Sequence, residues 1–314
     1  MIVVWLLVTL GGVALIVWGA EAFAEHLSVA AVRLGVSAFA LAILLAGAEP
    51  EELATSVAAS LRHTPAIALG DVIGANVAIC LVALGVGAWI APLPFGPRVR
   101  RYAVAGLLSA TLATILAWNG HLSRNNGFVL IGVYVIFIAV IWRLEHQPPA
   151  LGETAELAEA RAQPNGRLGG ELPYVIAGVL AMAVGATVLV EGIRRISGVE
   201  ATQTRLGLII VGFATAFELV VLAWSSARRG ISEVVVAGVV GSYAYNVTMT
   251  LGAAAVARPL VLIDATRLHS AWIAMLAAML TVIALSTSGQ LTRRASITLL
   301  ALYPAFVVLT LLTT

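Results

Sequence analysis

The stretch "ELATSVAASLRHTPAIALGDVIGANVAICLVALGVGA", residues 52–88, returns in altered form as "ELVVLAWSSARRGISEVVVAGVVGSYAYNVTMTLGAAA", residues 218–255. Each copy opens with Glu-Leu inside an apolar run, reaches a basic hairpin, passes through a glycine-rich turn and closes on Leu-Gly. Two unrelated apolar helices would share a composition, but not an acid, a hairpin and a turn in the same order. We therefore interpret the two stretches as an internal repeat.

The composition indicates a membrane protein, because 61% of the residues are hydrophobic, 11% are charged and the mean hydropathy is +1.00. A soluble domain carries about 25% charged residues. A helix needs about 20 apolar residues to cross a bilayer, and the short alternating segments of an outer-membrane barrel do not occur. Ten segments are predicted to cross: 2–21, 35–61, 65–90, 100–118, 127–144, 173–193, 205–228, 231–257, 268–287 and 294–312.

One connection, residues 145–172, is long and polar and contains five glutamates, so it reads as a solvated linker. It separates five spans in residues 1–144 from five in residues 173–314, and the repeat motifs occupy 44–90 and 206–256. With an odd number of spans, homologous halves must enter the membrane from opposite sides, as in many transporters. The predicted fold is all-α and polytopic, with about ten transmembrane helices arranged as two inverted five-helix repeats.

The basic residues are all arginine, which excludes lysine-based chemistry, and the single cysteine, Cys80, excludes an internal disulfide. With the N-terminus outside, 11 of the 18 arginines fall in inner loops, as the positive-inside rule requires. We expect an integral protein of a prokaryotic inner membrane with both termini outside and a cytoplasmic linker. The arginines lie in short loops, so they predict contact with lipid and not with nucleic acid. The oligomeric state stays open.

Three acids interrupt the apolar run "LLAGAEPEELATSV", residues 44–57. Inserting one charged acid at the centre of a membrane helix costs a free energy of about 2.5–3.5 kcal/mol. Glu52 has a repeat-matched partner in Glu218, which favours a functional role over the alternative of a protonated glutamate bonded to a neighbouring helix. Glu49 shares a helix face with Glu52, whereas Glu51 is turned about 100° away and could be structural. Pro50, with a glycine before it, predicts a broken helix.

Hard divalent cations bind six to eight oxygens from carboxylates, carbonyls, hydroxyls and amides. Ser242 and Asn246 are four residues apart and share a helix face, and Thr215 precedes Glu218. The first repeat offers polar residues on the matching helix. An alternative for these polar side chains is that they only seal helix–helix contacts. The predicted metal-binding set comprises Glu52, Glu218, Glu49, Asn246, Ser242, Thr215, Asp71 and Asn76.

The two repeats resemble the α-repeats of the cation/Ca²⁺ exchanger superfamily, which carry Gly-Thr-Ser-x-Pro-Glu-Leu followed by Gly-Asn-Val-Val-Gly-Ser-Asn. Here the first motif reads "GAEPEEL" and "FATAFEL", and the second reads "GDVIGAN" and "AGVVGSY". The resemblance covers nearly the whole chain. It implies alternating access around a central site, with Glu52 and Glu218 as paired cation-binding glutamates, inorganic cations as partners and no organic cofactor.

The departures from the family pattern concern neutral oxygen ligands. Ala75 and Ile79 stand where the first repeat would match Ser242 and Asn246, while one acid, Glu49, is gained. Sodium pockets built from the missing oxygens would be incomplete, and neighbouring carboxylates favour a shared proton. We expect an antiporter that exchanges a divalent cation, foremost Ca²⁺, against H⁺ or Na⁺.

Two other function classes compete with an exchanger. A divergent relative that does not transport but binds or senses a cation is the alternative to an exchanger. An enzyme is not expected, because the histidines lie at span ends or in loops and the spans contain neither HExxH nor GxSxG.

Overall fold

The computed structural model describes residues 2–33, 49–145, 168–230 and 232–314 of the chain. The first half contains α1 (Ile2–Arg33), α2 (Pro50–Leu61), α3 (Pro65–Ala78), α4 (Leu84–Ile90), β1 (Leu93–Pro94), α5 (Pro97–Ala117), β2 (His121–Leu122) and α6 (Arg124–Glu145). The second contains α7 (Leu168–Ile196), α8 (Glu200–Leu206), α9 (Gly212–Thr215), α10 (Phe217–Arg228), α11 (Ser232–Tyr245), α12 (Leu251–Ala257), β3 (Leu260–Val261), α13 (Thr266–Leu285), β4 (Gln290–Leu291) and α14 (Arg293–Thr313).

Eight helices in the described ranges are long and apolar enough to cross a membrane. The predicted spans at 35–61 and 231–257 are not among them. Most of the first, including the glycine before the acids, lies outside the described residues. The second is helical from residue 232 to 257 and contains a π-helical turn. The all-α polytopic fold is confirmed, while the count of ten stays a prediction.

Helices α1 and α7 pack side by side through glycines. A Cβ atom added at Gly12 would lie 2.8 Å from the carbonyl oxygen of Gly185, and one at Gly19 would lie 2.7 Å from that of Gly178. Residue numbers rise along α1 as they fall along α7, so the two helices are antiparallel. The first helices of the two halves therefore run in opposite directions, as inverted repeats require.

Two short antiparallel strand pairs join the halves. β1 pairs with β4 through Leu93 and Leu291, and β2 pairs with β3 through Leu122 and Leu260. In each pair, the first strand of one half meets the second strand of the other half. This exchange is the one expected of two halves related by a twofold axis in the membrane plane, and it is consistent with the predicted inverted repeats.

The helix Pro65–Ile90 lies at the centre, with 94% of its apolar segment buried. Its glycines allow the opposite half to approach closely. A Cβ at Gly74 would lie 2.2 Å from the carbonyl oxygen of Leu208, and one at Gly212 would lie 2.5 Å from the amide nitrogen of Ala75. Only residues without a side chain fit this seam, which brings α3 of the first half against α9 of the second.

Three π-helical turns interrupt the described helices, at Ile79–Ala83, Gly207–Val211 and Asn246–Thr250. Two of them follow a 14-residue helix, α3 or α11, and precede a seven-residue helix, α4 or α12. π-turns of this kind are frequent at functional sites. Asn246, a predicted ligand, is the first residue of one such turn, and Ile79 is the first residue of its counterpart.

Candidate functional site

Two twelve-residue helices, α2 and α10, begin inside the protein and carry acids in their first turns. Pro50 is the first residue of α2, which suits a position where no backbone donor is needed, and Glu51 and Glu52 follow it. Glu218 lies in the first turn of α10, after a break at Ala216. The N-terminus of a helix carries a partial positive charge that stabilises carboxylates. Both breaks therefore place acids where the backbone favours them.

The acids of α2 form one group. Glu49, Glu51 and Glu52 are all at least 90% buried. The carboxyls of Glu49 and Glu51 lie within hydrogen-bonding reach of each other, and Glu49 interacts electrostatically with both Glu52 and Glu218. Asp71 of α3 is fully buried and interacts electrostatically with Glu51 and Glu52. Five acids, from α2 and the residue before it, from α3 and from α10, thus share one region.

Polar side chains of α11 and its π-turn reach the same region. The Ser242 hydroxyl donates a hydrogen bond to Oε1 of Glu49. Nδ2 of Asn246 donates to Oδ1 of Asn76, at 3.1 Å, and Nδ2 of Asn76 donates to the carbonyl oxygen of Tyr243, at 3.3 Å. These bonds connect the central helices of the two halves and fix the orientation of both amides.

Asp71 joins three helices. Its Oδ2 accepts a hydrogen bond from Ser56 of α2, at 3.1 Å, and its Oδ1 accepts one from Thr215 of α9, at 3.0 Å. All three side chains are buried. Thr215 ends the helix segment before the break that precedes Glu218. The carboxylate of Asp71 therefore binds the broken helix of the second half to the acid-bearing helix of the first.

Several buried oxygens receive no hydrogen bond from a described residue. They are both carboxyl oxygens of Glu52, Oε1 of Glu51, Oδ1 of Asn246 and the hydroxyls of Tyr102, Thr250 and Thr310. Four of these seven atoms belong to carboxylates or an amide, the oxygen ligands that hard divalent cations prefer. In the described part of the chain, no three acidic, histidine or cysteine side chains yet converge with metal-site geometry. Cation binding would need the carboxyls to turn from each other toward one point.

The structure places all eight predicted site residues around this region, although their direct partners differ from those expected. Thr215 bonds to Asp71, where the sequence suggested a role beside Glu218. The helical spacing turns Glu51 to another face and allows it a structural role, yet Glu51 is 1% exposed and its carboxyl lies within hydrogen-bonding reach of Glu49. By helix bounds, Glu51 and not Glu52 is the second residue of α2, as Glu218 is of α10. The Glu-Leu alignment of the repeats instead pairs Glu52 with Glu218, so helix position and sequence match different glutamates of α2 to Glu218.

Sequence reasoning also missed Ser56 and the π-turns. Ser56 lies one helical turn beyond Glu52, on the same face, so its spacing from the acids was the available signal. The π-turn at Asn246 has no counterpart in a simple helical pattern, because it depends on how the central helices pack.

Comparison with known proteins identifies the family. The model of the family described as "Sodium/calcium exchanger protein" matches residues 4–143 and 171–312, one range in each half. The chain belongs to this family. Because the family is one of membrane exchangers, this membership confirms an integral membrane transporter and not an enzyme. It also confirms the superfamily resemblance.

Relatives of this exchanger-family chain are archaeal and bacterial. It is 24% identical to "Sodium/calcium exchanger MaX1" of Methanosarcina acetivorans, covering 98% of this chain and 99% of the relative. It is also 24% identical to "Putative antiporter CaxA" of Alkalimonas amylolytica, covering 90% of each chain. A solved structure of the sodium-calcium exchanger NCX_Mj, soaked with Na⁺ and Sr²⁺, matches with a TM-score of 0.63 at 21% identity, covering 97% of this chain and 98% of the other. That likeness shows the fold.

Proposed function

We propose that the chain is a secondary active antiporter that exchanges a divalent cation, foremost Ca²⁺, against H⁺ or Na⁺ at the carboxylate region between the halves. The observation that carries the proposal is the group of buried acids with carboxyl oxygens that no described residue satisfies. Buried charges in proteins are paired or coordinate a metal. The names of MaX1 and CaxA, a sodium/calcium exchanger and a putative antiporter, support the same function.

The acids would supply the charge at the site. Glu49, Glu51 and Glu52 come from the first half and Glu218 from the second. In the absence of a divalent cation, the hydrogen-bonding contact between Glu49 and Glu51 needs a proton on one of the two carboxyls. A divalent cation would replace such protons, because both neutralise the same carboxylates. This competition couples the two fluxes, since a neutralised site crosses the membrane region at lower cost than a charged one.

The neutral ligands would set the geometry. Ser242 positions Glu49 through its hydrogen bond, and Asn76 holds the amide of Asn246. Oδ1 of Asn246 is left to face a cation. Asp71 would keep the two broken helices in register through Ser56 and Thr215.

Proton coupling is favoured over sodium coupling by two buried apolar residues. Ala75 and Ile79 are fully buried on the central helix of the first half, at positions corresponding to Ser242 and Asn246. Neither can supply a side-chain oxygen to a Na⁺ ion. Protons bind to carboxylates alone, and this site has several of them.

Access would alternate between the two sides of the membrane around this fixed site. The antiparallel helices α1 and α7 pack on each other and against acid-bearing α2, and they are the moving elements in this proposal. Halves 1–144 and 173–314 would be joined by the linker 145–172 on the cytoplasmic side, with both termini outside.

Transport by reconstituted protein tests the function. Purified protein in liposomes is given a pH gradient or a Na⁺ gradient, and the uptake of ⁴⁵Ca²⁺ is measured. We expect uptake driven by the pH gradient, abolished in Glu52→Gln and retained in Glu233→Gln, which removes an exposed acid of the same type. Uptake under neither gradient by well-folded protein would favour the cation-sensing alternative. Uptake driven by Na⁺ without proton movement would overturn the proton coupling.

A further inference from the structure

A cavity of about 630 Å³ opens beside the hairpin between α2 and α3. Its basic lining comes from Arg124, Arg258 and His63, and none of the described residues that line it is acidic. This cavity is separate from the carboxylate region and plays no part in the proposed exchange.

The two arginines of the cavity are available for a ligand. Neither guanidinium makes a hydrogen bond or ion pair with another residue in the described ranges. By contrast, Arg194 and Arg195, beside the neighbouring part of the hairpin, bind Glu191 at 3.3 and 2.8 Å. A guanidinium presents its donors in a fixed fork that matches carboxylate and phosphate oxygens. Two such groups on one concave surface therefore favour an anion with several oxygens.

The surroundings of the cavity point to the membrane surface. Leu61 and Val261 line it and are 56% and 53% exposed. Arg124 is the first residue of α6, a helix long and apolar enough to cross the bilayer. An arginine at the end of a crossing helix lies at the level of the lipid headgroups. A phosphate held there would have apolar side chains beside it, as a phospholipid requires and a free phosphate ion does not.

The corresponding cavity of the other half has the opposite character. It is formed by the hairpin between α10 and α11 with β1 and β4, and its volume is about 560 Å³. Among the described residues, its lining contains Glu233 and Ser232 but neither arginine nor histidine. The fold alone therefore produces a cavity at each hairpin, and only the residues at 63, 124 and 258 make one of them basic.

We propose that the cavity at Arg124, Arg258 and His63 binds the phosphate of an anionic phospholipid. The bound lipid would lie beside a hydrogen-bonded contact between the two halves. Ser60, near the end of acid-bearing α2, lines the cavity and donates hydrogen bonds to the carbonyl oxygens of Ala254 and Arg258, at 2.7 and 2.9 Å. A lipid at Arg258 thus stabilises the end of α2 against α12.

Binding of defined lipids to purified protein in detergent tests this site. The unfolding temperature is titrated with phosphatidylglycerol, phosphatidylcholine or inorganic phosphate. We expect phosphatidylglycerol to raise it and the other two not to do so. The double variant Arg124→Gln/Arg258→Gln should bind phosphatidylglycerol about tenfold more weakly, because charge-assisted hydrogen bonds are lost.

The matched control is Arg194→Gln/Arg195→Gln, which removes the same charge beside the neighbouring part of the same hairpin. It should keep the wild-type response. The site would be overturned if both double variants lost the same affinity for phosphatidylglycerol. It would also be overturned if phosphatidylglycerol and phosphatidylcholine changed the unfolding temperature of the wild type equally. An equal shift with inorganic phosphate would overturn the assignment to a lipid. The single variant Arg124→Gln, at an exposed position, gives the same readout if the double variant does not fold, and none of these results depends on transport.

Discussion

The two halves contribute different chemistry to the same region. The first half supplies a dense set of acids, Glu49, Glu51, Glu52 and Asp71, beside apolar Ala75 and Ile79 on its central helix. The second half supplies one acid, and its central helix brings hydroxyl and amide groups. Similar backbones with π-turns at matching places therefore carry most of the acids on the first half, while the polar Ser242 and Asn246 of the second half have apolar counterparts in the first. A repeat fold fixes where ligands stand, while the ligand types can diverge.

The largest effect is expected when a carboxylate is removed from the first half. We expect Glu52→Gln to abolish Ca²⁺ uptake, because both of its carboxyl oxygens are buried without a hydrogen-bond donor among the described residues. Uptake of ⁴⁵Ca²⁺ into liposomes checks this, with Glu233→Gln as the exposed control. Wild-type uptake by Glu52→Gln would show that the acid cluster is not the transport site.

The glycine seam is the next test, because the contact of the halves depends on it. In Gly212→Ala the added Cβ would lie 2.5 Å from the amide nitrogen of Ala75. Overpacking of this kind costs about 1–3 kcal/mol, so we expect a lower unfolding temperature and reduced uptake. The control is Gly132→Ala, where no atom of a described residue lies within 4 Å of the added Cβ. Equal unfolding temperatures for the two variants would contradict the close packing of α3 on α9.

A smaller effect is expected at the hydrogen bond between the halves. Thr215→Val keeps the shape of the side chain but leaves Oδ1 of Asp71 without its donor. An unsatisfied buried acceptor costs about 1–3 kcal/mol. Thermal unfolding should show this loss, and Thr111→Val is the control, because its hydroxyl donates only to a carbonyl of its own helix. If both variants lose the same stability, Asp71 does not link the halves.

The smallest effect is expected from restoring an oxygen to the first half. Ala75→Ser adds a hydroxyl at the position that corresponds to Ser242. We attribute proton coupling to the missing neutral oxygens of the first half. Ca²⁺ uptake by this variant should therefore be stimulated modestly more by a Na⁺ gradient than uptake by the wild type. Ala78→Ser, also buried on α3, controls for the added hydroxyl. An equal response of the two variants would remove Ala75 from the explanation.

The sequence predicts the fold from two features that do not depend on individual contacts, namely hydropathy and the internal repeat. Hydropathy marked most of the crossing helices, and the repeated Glu-Leu, hairpin and glycine turn marked the central elements of both halves. The π-turns and the strand pairs β1–β4 and β2–β3 could not be predicted, because each depends on contacts between distant parts of the chain.

The site was predicted as a set of residues but not as a set of contacts. Glu52, Glu218 and Asn246 follow from the repeat, since matching positions in two copies share a location. The bond from Thr215 to Asp71 and the inclusion of Glu51 depend on where α2 begins. Pro50 is the first residue of α2. Glu49 precedes the helix and is not helical. The expectation that Glu49 and Glu52 share a helix face, which assumes a helix through residues 49–52, therefore does not hold for Glu49.

The most direct test of the carboxylate site is calorimetric titration of purified protein with Ca²⁺ in buffers of different ionisation enthalpy, at several pH values. The account predicts that binding releases protons and that affinity falls as the pH is lowered, because protons and Ca²⁺ compete for the same buried carboxyls. It also predicts that Glu52→Gln loses this binding while Glu233→Gln keeps it. Ca²⁺ binding of equal affinity at every pH without proton release, or its persistence in Glu52→Gln, would contradict the account.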